Sequence, residues 1–81
     1  MATILYFAAL RDLTSCVEEV RELPAEVRTV REFMAYIQRA RPELAGRMAS
    51  VRVALDETFA DAGDSLDGVR VIALIPPVSG G

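Results

Sequence analysis

Two apolar runs, one near each end of the chain, constrain the fold more than any other feature of the sequence. Residues 2–10 and residues 69–75 are both rich in strand-forming residues. In the first run both alternating faces are hydrophobic, namely Ile4 with Tyr6 and Leu5 with Phe7. A strand that is apolar on both faces is covered on both sides. We therefore expect the first and last strands to pair in the centre of a sheet.

The clearest local signal between these runs is a capping box at residues 29–32. Thr29 can accept a hydrogen bond from the amide of Glu32, and Glu32 can accept one from the amide of Thr29. A helix is expected to begin here and to end near Pro42, because the residue before a proline disfavours helical geometry. The apolar positions follow the spacing of one buried face: Val30, Phe33, Met34 and Ile37.

The remaining segments predict short strands and turns. Residues 16–23 are expected to form a strand that a polar turn at residues 11–15 joins to the first strand as a hairpin. Residues 44–49 are expected to form a short helical turn. From Val51 the apolar period changes to two, which predicts a strand at residues 51–55. The same signals predict a turn at 56–57, a very short strand at 58–60 and a turn at Asp67-Gly68 before the last strand.

This order of elements predicts an α+β domain, with one main helix packed across a mixed sheet of four to five strands. If the apolar runs pair in parallel and the helix lies in the right-handed connection between them, the arrangement is the ubiquitin-like β-grasp. Residues 1–75 are expected to form this domain, and residues 76–81 a flexible C-terminal tail. Six residues can extend about 20 Å at roughly 3.3 Å each, far enough to enter a neighbouring protein.

Composition excludes several classes of protein. The net charge of −3, the pI near 4.8 and the scattered arginines argue against a nucleic-acid partner, which needs clustered positive charge. No apolar stretch approaches the roughly 18 residues of a membrane span, and residues 1–6 lack the basic start of a signal peptide. We therefore expect a cytoplasmic protein with no membrane partner.

The chemical groups point to the end of the chain. There is no His, no Gly-rich phosphate loop and one Cys, so Cys16 is expected to be an inert, partly buried thiol and no metal site is expected. The chain therefore carries no catalytic apparatus of its own. The Gly81 carboxylate is a reactive handle once a partner enzyme adenylates it with ATP, and a residue without Cβ passes a narrow channel. Gly80-Gly81 alone is ambiguous, because flexible termini commonly carry small residues.

Three motifs carry a resemblance to a known family. They are Phe7-Ala8-Ala9-Leu10-Arg11-Asp12, Leu66-Asp67-Gly68 and, most specifically, Pro76-Pro77-Val78-Ser79-Gly80-Gly81. With them the whole chain resembles the small subunit of molybdopterin synthase, a β-grasp sulfur carrier.

The resemblance implies a function without a bound cofactor. An E1-like enzyme would use ATP to adenylate Gly81, and a sulfur-donating enzyme would convert it to a thiocarboxylate. Pro76, Pro77, Val78, Ser79 and Gly80 would thread this end into the large subunit of a heterotetramer. There it would donate sulfur to cyclic pyranopterin monophosphate in molybdenum cofactor biosynthesis.

Docking residues are expected beside the tail, because one helix covers only one side of a sheet. The residues expected to bind partners are Phe7, Leu10, Arg11, Leu74 and Ile75. Alternatively, Arg11 is a solvated charge at a turn, and Phe7, Leu74 and Ile75 are core residues that contact no partner.

Alternative functions also stay open, because residues 53–56 and 67–70 depart from the family's patterns. They are a carrier for thiamine, cysteine or another sulfur product, a ubiquitin-related modifier, and a binding module whose tail docks without covalent chemistry.

Overall fold

The sheet is built around the two apolar runs, as predicted. In the computed structural model, which describes residues 1–77, strand β1 (Ala2–Tyr6) and strand β5 (Val71–Ile75) pair in parallel at the centre. Strand β2 (Glu18–Arg21) lies antiparallel beside β1, and strand β3 (Arg52–Leu55) antiparallel beside β5. Strand β4 (Thr58–Ala60) completes one edge, so the order is β2-β1-β5-β3-β4. This is the β-grasp arrangement that the order of elements predicts.

Helix α2 (Val30–Ala40) begins at the predicted capping box. The amide of Glu32 donates to Thr29 Oγ1 at 3.3 Å, and the amide of Thr29 donates to Glu32 Oε1 at 3.0 Å. The helix buries Val30, Phe33 and Ile37 together with apolar side chains of the sheet. Its capping and its apolar spacing are both local properties of the sequence, so its start could be predicted closely.

The core lies on one side of the sheet. It consists of alternate strand residues and of side chains from the helices and loops that cover them. The fully buried large side chains are Tyr6, Phe33, Ile4, Leu10, Ile37, Leu44, Ile72 and Leu74. No helix within residues 1–77 is long and apolar enough to cross a membrane.

The connection between β1 and β2 differs from the predicted hairpin turn. Helix α1 (Ala9–Thr14) replaces the expected turn, because Leu10 is only 2% exposed and anchors the segment in the core. The Thr14 hydroxyl donates to the carbonyl of Leu10 at 2.9 Å, and Ser15 ends the helix at a φ of 53°. The chain leaves β1 through Ala8, which also has a positive φ of 50°.

The segment after α2 also departs from its prediction. The expected helical turn at residues 44–49 lies earlier, as a 3-10 helix at Pro42–Leu44. Pro42 occupies the first helical position, where a missing amide donor is tolerated, and Leu44 is fully buried.

The β3–β4 turn is formed as predicted, by Asp56 and Glu57, both with positive φ. The Asp56 carboxylate also accepts the backbone amides of Arg70 and Val71, which connects this turn to the start of β5.

Candidate functional site

The side of the sheet that faces away from the core is the candidate docking surface. Strand register places Leu5 opposite Ala73, Ala73 opposite Ala54, and Ala54 opposite Phe59. Successive strand residues point to opposite faces, so these side chains form a row on the side away from buried Ile4, Val53 and Leu74. We call this side the outer face. Its exposed residues include Phe7, Glu18, Val20, Arg52 and Phe59, its half-buried residues include Leu5 and Ile75, and the small side chains of Ala54 and Ala73 are buried among them.

The outer face extends to the start of the tail. Phe7 continues β1 alongside β5, since its amide donates to the carbonyl of Leu74 at 3.3 Å, and its side chain is 43% exposed. Ile75, the last residue of β5, lies opposite Arg52. Pro76 follows directly and is half-buried. A protein that covers the outer face would therefore also meet the point where residues 76–81 begin.

The structure separates the five predicted partner-binding residues into two groups. Phe7 and Arg11 are exposed and Ile75 is half-buried, so these three are accessible to a partner. Leu10 is 2% exposed and Leu74 fully buried. The expectation that these two side chains face a partner is therefore corrected, because both are part of the core beneath the surface.

The predicted tail is described only at its beginning. Pro77 is exposed, and it is the last described residue. The predictions for Val78, Ser79, Gly80 and Gly81 lie outside the described residues.

Two residues of the outer face were missed by sequence reasoning. Phe59 is 54% exposed, and the Arg52 guanidinium carbon lies 4.1 Å from the centroid of its ring. The alternation of residues 51–56 indicated two faces of one strand. That alternation already places Arg52 on the polar face. Its position beside Phe59 and Ile75 depends on the register of β3 with β4 and β5, for which the sequence carries no local signal.

The charged cluster between β1, β2 and the end of α2 is structural. Glu19 accepts hydrogen bonds from the Tyr6 hydroxyl, from Arg21 Nε at 2.8 Å and from Arg41 Nε at 2.7 Å. Burial by itself would raise the pKa of Glu19, but these hydrogen bonds more than offset it, so the pKa lies below its ordinary value. Burial raises the pKa of Tyr6, and Glu19 raises it further. All these groups have partners, so the cluster offers no free acid or base.

The other reactive groups also lack a site. Cys16 is half-buried, as predicted, and its Sγ donates to the carbonyl of Glu18 at 3.1 Å. Across the part of the chain that the structure describes, no three His, Cys, Asp or Glu residues are grouped to hold a metal ion.

The fold and the outer face define a ubiquitin-like β-grasp protein with an exposed sheet surface beside its C-terminal segment. The chain matches the ThiS family over residues 4–81, and it belongs to that family. Membership of this family supports a sulfur carrier of the ubiquitin-like β-grasp kind.

Solved structures share the same fold. SAMP1 from Haloferax volcanii superposes with a TM-score of 0.82 at 23% identity, covering 99% of this chain and 98% of that one. A Pyrococcus furiosus protein described as molybdopterin converting factor subunit 1 gives 0.77 at 24% identity, covering 95% and 97%. The complex of subunits 1 and 2 of molybdopterin-converting factor from Helicobacter pylori gives 0.67 at 23% identity, covering 99% and 97%.

Proposed function

We propose that this chain is the sulfur-carrier subunit of molybdopterin synthase. The observation that carries the proposal is the continuity of the exposed outer face with Ile75, directly before Pro76-Pro77-Val78-Ser79-Gly80-Gly81. A carrier needs a surface by which a partner recognises it and a reactive end that enters that partner. Membership in the ThiS family supports the same function.

The proposed chemistry takes place on the Gly81 carboxylate. One carboxylate oxygen attacks the α-phosphorus of ATP on an E1-like adenylating enzyme, and pyrophosphate leaves. A sulfide equivalent from a sulfur-donating enzyme then displaces AMP and leaves a thiocarboxylate. Transfer of that sulfur to cyclic pyranopterin monophosphate, with water supplying the replacing oxygen, restores the carboxylate. The chain thus carries sulfur without catalysing any of the steps.

The proposed partner in the last step is the large subunit of molybdopterin synthase, in a heterotetramer. The structure from Helicobacter pylori is a complex of subunits 1 and 2 of molybdopterin-converting factor, which supports a partner of this kind. Ordering the tail inside a partner costs roughly 1–2 kcal/mol of backbone entropy per residue, and most at the glycines. Contacts of the outer face with the partner would offset that cost.

Deletion of Gly81 tests the proposal. The full chain, produced together with its adenylating enzyme and a sulfur donor, should gain the mass that accompanies exchange of one oxygen for sulfur. The Gly81 deletion should gain none and should support no molybdopterin synthesis, while its unfolding curve stays unchanged. The Cys16→Ala variant is the matched control and should load fully. Full activity of the deletion would overturn the proposal.

The second candidate is delivery of the same activated end to another acceptor. The likeness to SAMP1, a small archaeal modifier protein, motivates this alternative. Loaded protein mixed with the large subunit and cyclic pyranopterin monophosphate separates the two. Dithiolene formation supports the first candidate. Conjugates on protein amines, or sulfur found in thiamine or cysteine, support the second, and a chain that is never loaded supports a non-covalent binding module.

A further inference from the structure

Arg52 is a cation within an otherwise apolar part of the outer face. It lies opposite Ile75 and two residues before Ala54 on the same face of β3, and its guanidinium lies over the Phe59 ring. Glu18, the other charge on this face, lies on edge strand β2, opposite Leu5. Arg52 is therefore close to where the tail begins, and Glu18 is separated from it by β1 and β5.

Within residues 1–77, Arg52 forms no ion pair. The ion pairs present there join Glu19 to Arg21 and to Arg41, and Arg41 to Glu43. Arg52 is instead held by the ring of Phe59, at 4.1 Å from the guanidinium carbon to the centroid. A cation–π contact uses the charge of the guanidinium and leaves N–H donors for a further acceptor. It also keeps the side chain against the sheet, where a partner would meet it.

A partner that covers Ile75 and Phe59 removes Arg52 from water as well. Burial of an unpaired charge is strongly unfavourable, and a carboxylate is the acceptor that matches the planar guanidinium in charge and geometry. We infer that Arg52 is a specificity-determining residue of the outer face. It pairs with an Asp or Glu of the adenylating enzyme that receives the tail, next to Ile75, where the tail begins. This inference rests on the proposed function, since it requires a partner that receives the tail.

Arg52→Met distinguishes this pairing from plain apolar docking. The variant keeps a long side chain and removes the charge, so the partner's carboxylate is left without its counter-charge. Affinity for the adenylating enzyme that loads the chain should fall at least about 10-fold. If the outer face binds only through apolar contacts, the same substitution leaves the affinity unchanged or increases it.

Arg39→Met is the matched control. Arg39 is exposed on α2, on the core side of the sheet, and its substitution changes the net charge by the same amount. It should leave the affinity unchanged. Arg52→Lys keeps the charge without the planar fork and should bind with an affinity between wild type and Arg52→Met. Thermal unfolding of all three variants should match that of the wild type. If Arg52→Met alone is destabilised, the affinity of the stable Arg52→Lys variant tests the pairing: reduced affinity supports it, and wild-type affinity contradicts it.

The salt dependence of binding provides a second measurement. Affinity of the wild type should fall more steeply with ionic strength than that of Arg52→Met, because only the wild type retains the charge pair. Equal slopes together with equal affinities would overturn the role of Arg52. In that case the wild type still gains sulfur, so the proposed function stands. A wild type that neither binds the enzyme nor gains sulfur overturns both.

Discussion

Glu19 is the residue whose substitution should reveal most about what holds the sheet to α2. Its carboxylate joins Tyr6 of β1 to Arg21 of β2 and to Arg41 at the end of α2, and only 17% of its side chain is exposed. Glu19→Gln leaves the Arg21 guanidinium without its counter-charge and leaves Arg41 with only the more exposed Glu43. We expect a loss of about 1–3 kcal/mol in the free energy of unfolding, measured by urea denaturation.

Glu43→Gln is the control for that substitution. Glu43 pairs with Arg41 at 3.2 Å but its side chain is 36% exposed, and exposed pairs contribute about 0–1 kcal/mol. Equal losses for the two variants would show that the position of Glu19 between three partners has no special effect.

The acid dependence of stability follows from the same carboxylate. The pKa of Glu19 is lower in the folded protein than the value of about 4.3 in an unfolded chain. Its contribution is therefore present above that unfolded value and is lost as the pH falls through the folded pKa. The difference in unfolding free energy between wild type and Glu19→Gln, measured from pH 7 downwards, should shrink in acid. A difference that is constant with pH would contradict this assignment.

At the scale of elements, the start of α2 depends on one hydroxyl. Thr29 Oγ1 accepts the amide of Glu32, and the Glu32 carboxylate accepts the amides of Arg28 and Thr29. Thr29→Ala removes the acceptor and should lower the unfolding free energy by about 1 kcal/mol. Thr29→Ser keeps the hydroxyl and should remain close to wild type. Chemical denaturation of both variants checks this, and equal stability of all three proteins would show that the cap contributes nothing.

Helices α1 and α2 differ in how far the sequence predicts them. Helix α2 has a capping box and 11 residues with one apolar face, so local pattern is sufficient. Helix α1 has six residues and no side-chain cap at its N-terminus, and a helix that short is not stable alone. It forms because Leu10 is buried in the core, a contact between segments that local propensity does not include.

At the scale of the whole molecule, the core and the tail should be separable. Every buried residue of the described part precedes Ile75. A protein truncated after Pro77 should therefore unfold with the same free energy as the full chain, and it should compete with the full chain for the adenylating enzyme without being loaded. Competition is measured as inhibition of sulfur loading. A truncated chain that folds but does not inhibit would contradict docking by the outer face.

The sequence by itself determined the class of fold, the position of α2 and the composition of the C-terminal segment. These follow from apolar periodicity, capping and proline or glycine chemistry, all of which act over a few neighbouring residues. Tertiary structure alone decided which of these side chains lie together on the outer face and which are buried. Register placed Arg52 beside Ile75 and Phe59 beside Ala54, and burial removed Leu10 and Leu74 from the surface. Those outcomes depend on contacts between segments distant in sequence, and so no local pattern contains them.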